Sequence, residues 1–263
     1  MNVLLNRTHF ALGDWIMFAD LIHNFTRAWP DMDIDVEATL PDMSEVLRVC
    51  GVRFRLVEHP DTSKYDGVVP HVAYTTVPTV VRGQHLLVNM CKNVCDQLKL
   101  DIHELGHLDL VHCVVPSEIQ CPEAPYVLVP GKEDIKRISL DKAYSEWDDL
   151  VSRLSKFWRV YELNTNLSPD KAYKDSSGII RTNSLPDTAK LLRNAFFTVC
   201  TENGLNHWAC HNGGKTFCIM KSFRRRATPK ELFYRSMTPI TLYDDVDDSP
   251  DYVFQKIAEG VWK

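Results

Sequence analysis

The feature that most constrains this chain is an alternation of two periodicities along its length. Val3, Leu4 and Leu5 form a short apolar run, and after the loop 8–14 the residues Trp15, Phe18, Ile22, Phe25 and Trp29 recur three and four apart, which is one face of a helix. Pro30 and Asp31 end that helix. Ile34, Val36, Ala38 and Leu40 then alternate with Asp33, Asp35, Glu37 and Thr39 at period two, the pattern of a strand. Ser44 is placed to cap a helix running to Cys50, with Gly51 as its stop, and 52–57 and 65–74 read as further strands. In 84–100, Leu87, Cys91, Val94 and Leu98 share one helical face. Strands alternating with helices predict an α/β fold with a mainly parallel sheet covered on both sides.

The stretch 116–125 carries three prolines and little apolar periodicity, so it predicts a linker between two lobes, 1–118 and 119–263. The alternation then resumes. Strands are expected at 126–129, 158–163, 196–200 and 216–220, and helices at 140–155, 187–194 and from about Leu205. A closing helix at about 251–261 follows Pro250 and is free to pack back on the N-terminal lobe.

A length of 263 residues is enough for two compact lobes, and 44% apolar with 25% charged residues is ordinary for a folded chain. A formal charge of −5 argues against a broadly basic nucleic-acid surface, although Arg224, Arg225 and Arg226 make a local basic patch. The N-terminus lacks the long apolar region of a secretion signal, and no stretch is long enough to span a bilayer, so a cytoplasmic protein is expected. The eight cysteines include no C-x-x-C pair, which favours buried thiols over metal or disulfide chemistry.

Three loops combine a strand end, a small residue and a polar group, and in open α/β sheets ligands bind beyond the carboxyl ends of strands. The first is Ala11-Leu12-Gly13-Asp14. Gly13 permits a close turn, and Asp14 at the helix start either caps free amides, the commoner role of such an aspartate, or accepts a proton from a substrate. The second runs from Pro130 and Gly131 through Lys132, Lys136 and Arg137; it is either a solvated loop or a cradle for a diphosphate. The third, Thr201-Glu202-Asn203-Gly204-Leu205-Asn206-His207, lies between an apolar strand and a helix, where free amides face an anion and Gly204 allows its close approach. An ordinary turn with a structural histidine accounts for it equally.

Taken in order, Ala11 to Asp14, then Trp29-Pro30-Asp31, Lys64-Tyr65-Asp66, Tyr126 to Gly131 with Lys136 and Arg137, and Glu202 to His207 resemble the heptosyltransferases of glycosyltransferase family 9 over almost the whole chain. The resemblance implies a GT-B architecture: two Rossmann-like lobes flanking a cleft, with the acceptor on the N-terminal lobe and the nucleotide-diphosphate sugar on the C-terminal lobe. It implies inverting transfer without a metal or other cofactor. Asp14, with Gly13 in the acceptor-side loop, would be the general base. Lys136 and Arg137 would stabilise the departing diphosphate, and the loop with Glu202, Asn203, Gly204, Leu205 and His207 would bind its phosphates. A leaving diphosphate gains charge in the transition state, so fixed donors suit it. The chain departs from the family pattern at Glu202 and Asn203, where Asp and Ser or Thr are usual, at Val129 in place of His, and at Ile138 in place of Trp. It is also shorter than typical members. The acceptor implied is a saccharide or lipopolysaccharide core, with a hydroxylated DNA base as the other choice.

One motif competes. His103-Glu104-Leu105-Gly106-His107 is a complete H-E-x-x-H, which on a helix places two histidines one turn apart to bind zinc beside a glutamate that activates water, as in a zinc metallopeptidase. His112, Glu118 and Glu123 are the nearby third ligands, and His112 is one residue short of the metzincin spacing. On the glycosyltransferase reading the segment instead leads into a strand at 110–115. A catalytically inactive nucleotide-binding module is a third reading.

Overall fold

The structure, a computed structural model, describes residues 1–7, 11–37, 41–72, 85–131, 144–164, 173–182, 184–221, 237–242 and 249–262. The chain divides into two compact units, with the change at Val115 and Pro116.

The first unit is a four-stranded sheet in the order β3-β2-β1-β4, built from β1 (Asn2–Leu5), β2 (Asp33–Glu37), β3 (Arg55–Val57) and β4 (Gly67–Val69). Every pairing is parallel, with Val3 opposite Ile34 on one side and Gly67 on the other. Val3, Leu4 and Leu5 are all buried, because a parallel sheet covered on both faces has no solvent side. Helix α1 (Leu12–Ala28) buries Trp15, Phe18, Ile22 and Phe25, and it packs on α2 (Pro41–Val49) and α3 (Leu86–Leu98). It stops at Trp29, whose amide bonds Phe25 O before Pro30 removes the next donor.

Three expectations for this unit are corrected. Helix α1 begins at Leu12 with Ala11 as its N-cap, so Gly13 and Asp14 belong to its first turn and Asp14 is not the cap. Helix α2 begins at Pro41, which suits a first turn because its missing N–H has no intrahelical acceptor there, so Ser44 lies inside the helix. Residues 110–115 form no strand. Their hydrogen bonds are taken by side chains of α1: Val111 N donates to Asp20 Oδ1 at 2.8 Å, and Asp109 N to Asn24 Oδ1 at 2.9 Å. Val114 N reaches Val49 O, at the end of α2.

The second unit is a six-stranded, wholly parallel sheet in the order β10-β9-β8-β5-β6-β7. Its strands are β5 (Tyr126–Pro130), β6 (Arg159–Asn164), β7 (Gly178–Arg181), β8 (Phe197–Thr201), β9 (Thr216–Lys221) and β10 (Met237–Leu242). Helices α4 (Trp147–Leu154), α5 (Leu185–Asn194), α6 (Gly204–His211) and α7 (Pro250–Val261) complete it. One core joins Val127 and Val129 of β5, Leu150 and Leu154 of α4, Phe197 of β8, and Val253 and Ile257 of α7. The closing helix packs on this unit's own sheet. Strands β7 and β10, absent from the sequence reading, are the two edges of the sheet.

No helix among the described residues is long and apolar enough to cross a membrane. Seven of the eight cysteines are buried.

Candidate functional site

The order of the six strands locates a crevice in the second unit. From β5 the chain proceeds outward to β6 and β7, then returns to the other side of β5 for β8, β9 and β10. Connections leave β5 and β8 in opposite directions, so the carboxyl ends of these two neighbours form the switch point at which open α/β sheets bind ligands.

Two of the three sequence loops begin there. Strand β5 ends at Pro130, and Gly131 follows with its amide on Leu163 O at 2.9 Å. A side chain at Gly131 would place its Cβ 3.2 Å from Cβ of Asn164, so only glycine fits without a shift of β6. Lys136 and Arg137 come five and six residues later and lie outside the described residues, as do Arg224, Arg225 and Arg226.

On the adjacent strand, β8 ends at the buried Thr201, and the chain enters α6 after two residues. Asn203 is the N-cap: its Oδ1 accepts the amide of Asn206 at 3.1 Å. The amides of Gly204 and Leu205 have no acceptor among the described residues, which leaves two donors and the positive end of the helix for an anion. The turn is rigid from below. Asn206 is fully buried, with Oδ1 accepting from Cys200 Sγ at 3.9 Å and Cys210 Sγ at 3.8 Å. His207 is buried one turn into the helix, its Nε2 3.9 Å from Oε1 of Glu202. Glu202, Asn203, Gly204, Leu205 and His207 thus form one constellation, and sequence reasoning missed the part Asn206 plays in stiffening it.

The first unit repeats this layout on a smaller scale. Strands β1, β2 and β3 run outward and β4 returns to the other side of β1, so the ends of β1 and β4 are its switch point. Asn6 N bonds Val69 O at 3.0 Å, and Val72 N bonds Asn6 O at 2.8 Å, which carries the pairing beyond both strands. Asp14 is there, in the first turn of α1, only 8% exposed. Its Oδ1 is 3.0 Å from Nη2 of Arg7, a fully buried guanidinium whose Nη1 donates to Val72 O. Asn6 Nδ2 donates to Glu37 Oε2 at the end of β2. The sequence reading missed Arg7; the signal was a lone cation closing an apolar strand.

The H-E-x-x-H segment does not form the helix that zinc ligation requires. Ile102–Leu105 is a single 3-10 turn capped by Asp101, and Gly106, at φ +60°, ends it before His107. Trp29 Nε1 donates to Glu104 Oε2 at 2.8 Å, and Arg27 donates to the carbonyls of Leu105 and His107. The segment is thereby tied to the end of α1. His103 and His107 are exposed on an open groove of about 690 Å3 with Val88, Lys92 and Leu108. Among the described residues no cluster of three His, Cys, Asp or Glu side chains is placed to hold a metal. Of the third ligands, Glu123 is engaged by Arg159 at 2.7 Å, and that hydrogen bond holds its carboxyl below the ordinary range.

No family model matches the sequence, and no curated protein matches it. Solved structures do. Heptosyltransferase WaaC of E. coli, solved with ADP, superposes with a TM-score of 0.66 at 13% identity over 98% of this chain and 99% of that one. ADP-heptose LPS heptosyltransferase II of E. coli gives 0.68 at 14% identity over 100% and 99%. A family 9 glycosyltransferase of Veillonella parvula gives 0.60 at 10% identity over 99% and 89%. The chain has the fold of the heptosyltransferases of glycosyltransferase family 9, two mainly parallel α/β sheets with flanking helices.

Proposed function

We propose that this protein is a glycosyltransferase that moves a sugar from a nucleotide-diphosphate donor to an acceptor hydroxyl, with inversion and without a metal. The observation that carries the reading is the coincidence at the second switch point: Gly131, where a Cβ would crowd Asn164, and the amides of Gly204 and Leu205, without an acceptor among the described residues, stand at the ends of adjacent strands. The heptosyltransferase fold supports it.

In this reaction the second unit holds the donor. The amides of Gly204 and Leu205 bind the diphosphate, Asn203 and His207 shape the turn, and Lys136 and Arg137 meet the charge that develops as the bond from C1 to the phosphate oxygen breaks. The first unit holds the acceptor, and Asp14 takes the proton of the attacking hydroxyl. Glu202 beside His207 puts a carboxylate where a phosphate would be repelled unless the imidazole lies between them. The acceptor is a saccharide, as in a lipopolysaccharide core, in preference to a hydroxylated DNA base, since the net charge of −5 offers no broadly basic surface for a nucleic-acid backbone. A cytoplasmic location follows from a soluble nucleotide-sugar donor.

The test is a thermal-shift screen against ADP and nucleotide-sugars, with and without chelator, because a ligand of the folded state raises its stability. A shift that survives chelation and release of ADP from the donor are expected. Binding without turnover would point to a nucleotide-binding module, and no shift with any donor would overturn the reading.

A further inference from the structure

The carboxylate assigned to proton removal is not held by its own helix. Asp14 is the third residue of α1, and its backbone amide bonds Ala11 O at 3.1 Å, so no contact within the first turn fixes its side chain. Arg7, from the end of β1, does. The guanidinium is fully buried, with Nη2 3.0 Å from Asp14 Oδ1 and Nη1 donating to the carbonyl of Val72, beyond the end of β4. One planar cation therefore joins three pieces of chain at the switch point: the end of β1, the extension of β4 and the start of α1. Arginine suits this because its fork stays charged while Nη1 donates to Val72 O and Nη2 lies beside the carboxylate as an ion pair.

Burying a cation in full costs several kcal/mol even when it is paired. A pin between β1 and β4 alone needs no charge, since the backbone bonds of Asn6 with Val69 and Val72 already join them. Its charge is matched at Asp14, whose Oδ2 makes no hydrogen bond with the described residues.

Resting on the proposed function, the geometry points to Arg7 as the positioning residue of the base: it occupies Oδ1 and leaves Oδ2 for the proton of the acceptor hydroxyl. As the acceptor oxygen bonds to C1, the bond from C1 to the diphosphate oxygen breaks and the diphosphate leaves with the electron pair. The hydroxyl proton passes to Oδ2 and later to water, while Arg7 keeps its own proton throughout.

The experiment is a double-mutant cycle on the release of ADP from ADP-heptose, with ADP binding measured by calorimetry in each variant. Arg7→Met should lower kcat by about a hundredfold in the unaltered background, with the Kd for ADP within about twofold, and should cost almost nothing further in Asp14→Asn. Arg7→Lys, which keeps the charge but loses the fork, should recover most of the loss. If Arg7→Met does not fold, Arg7→Lys carries the cycle, with a loss of about tenfold that vanishes in Asp14→Asn. Equal losses in both backgrounds would assign Arg7 to folding alone and overturn the proposal while the transferase reading stands. No ADP release by the unaltered protein would remove that reading and this role together.

Discussion

A Cβ at Gly131 would lie 3.2 Å from Cβ of Asn164, so the ends of β5 and β6 approach closely enough that Asn164 must give by a few tenths of an ångström to admit a side chain. Gly131→Ala must displace Asn164, which is itself buried and whose carbonyl receives the amide of Thr182 at 3.1 Å. The expected cost is about 1–3 kcal/mol, the range for overpacking a filled site. Calorimetry should record a lower Tm, and titration with ADP a weaker affinity, because the shift lands on the strand end that bounds the donor crevice.

Asn203 offers a way to separate capping from anion binding. Asn203→Ala removes the cap of α6 and should cost about 1 kcal/mol of stability. Asn203→Asp keeps the cap but sets a negative charge beside the free amides of Gly204 and Leu205. Stability near the unaltered value with markedly weaker ADP binding is expected for the aspartate; thermal melts and calorimetric titration check both.

Replacing the base should separate chemistry from binding. Asp14→Asn is expected to reduce sugar transfer by about 10²–10⁴-fold, the range for losing a general base, with ADP affinity nearly unchanged. Retained turnover would remove Asp14 from that role.

Alkaline pH should weaken the fold. Burial, followed by the nearby Asp96, Asp101 and Glu104, pushes the Cys95 thiol from 9.0 up to about 12, and burial raises Cys50 and Cys91 as well. Unfolded thiols ionise near pH 9 and the folded ones do not. The unfolded state therefore gains stability as pH climbs from 9 towards 12, by at most about 1.4 kcal/mol per unit for each thiol. Melts between pH 8 and 10.5 should show a falling Tm, with a shallower fall in Cys95→Ala.

His103→Ala and His107→Ala should leave ADP release unchanged, and purified protein should carry no stoichiometric zinc. Metal analysis together with the ADP-release assay tests both. A loss of activity with either variant would restore the histidines to the function.

Much of the fold was legible because its signals are local. The spacing of Trp15, Phe18, Ile22 and Phe25 marks α1, and the apolar runs of β5 and β8 place the two loops at the switch point. What escaped depended on neighbours distant in sequence. Residues 110–115 look like a strand because they are apolar, yet Val111 and the preceding Asp109 bond Asp20 and Asn24, two buried polar side chains that periodicity counts as interruptions of α1. Strands β7 and β10 are sheet edges, and the half-buried Ile179 and Ile180 carry a weak pattern. Arg7 and Asp14 meet through a buried contact that no spacing rule encodes, so the sequence suggests a cap where the structure has an ion pair. The H-E-x-x-H match was legible and misleading, since Gly106 ends the turn before His107.

Strand β10 contains Pro239 in mid-strand, opposite Cys218 of β9. Proline has no amide proton, and a strand that pairs on one side only is where a sheet can hold one. Its effect reaches beyond this molecule. An outermost strand with a full row of donors is a template for another chain, and a gap in that row discourages stacking of one sheet on the next during synthesis and storage. Pro239 thus bears on edge-to-edge association between copies of the chain, a property separate from the proposed donor crevice and the proposed base at Asp14.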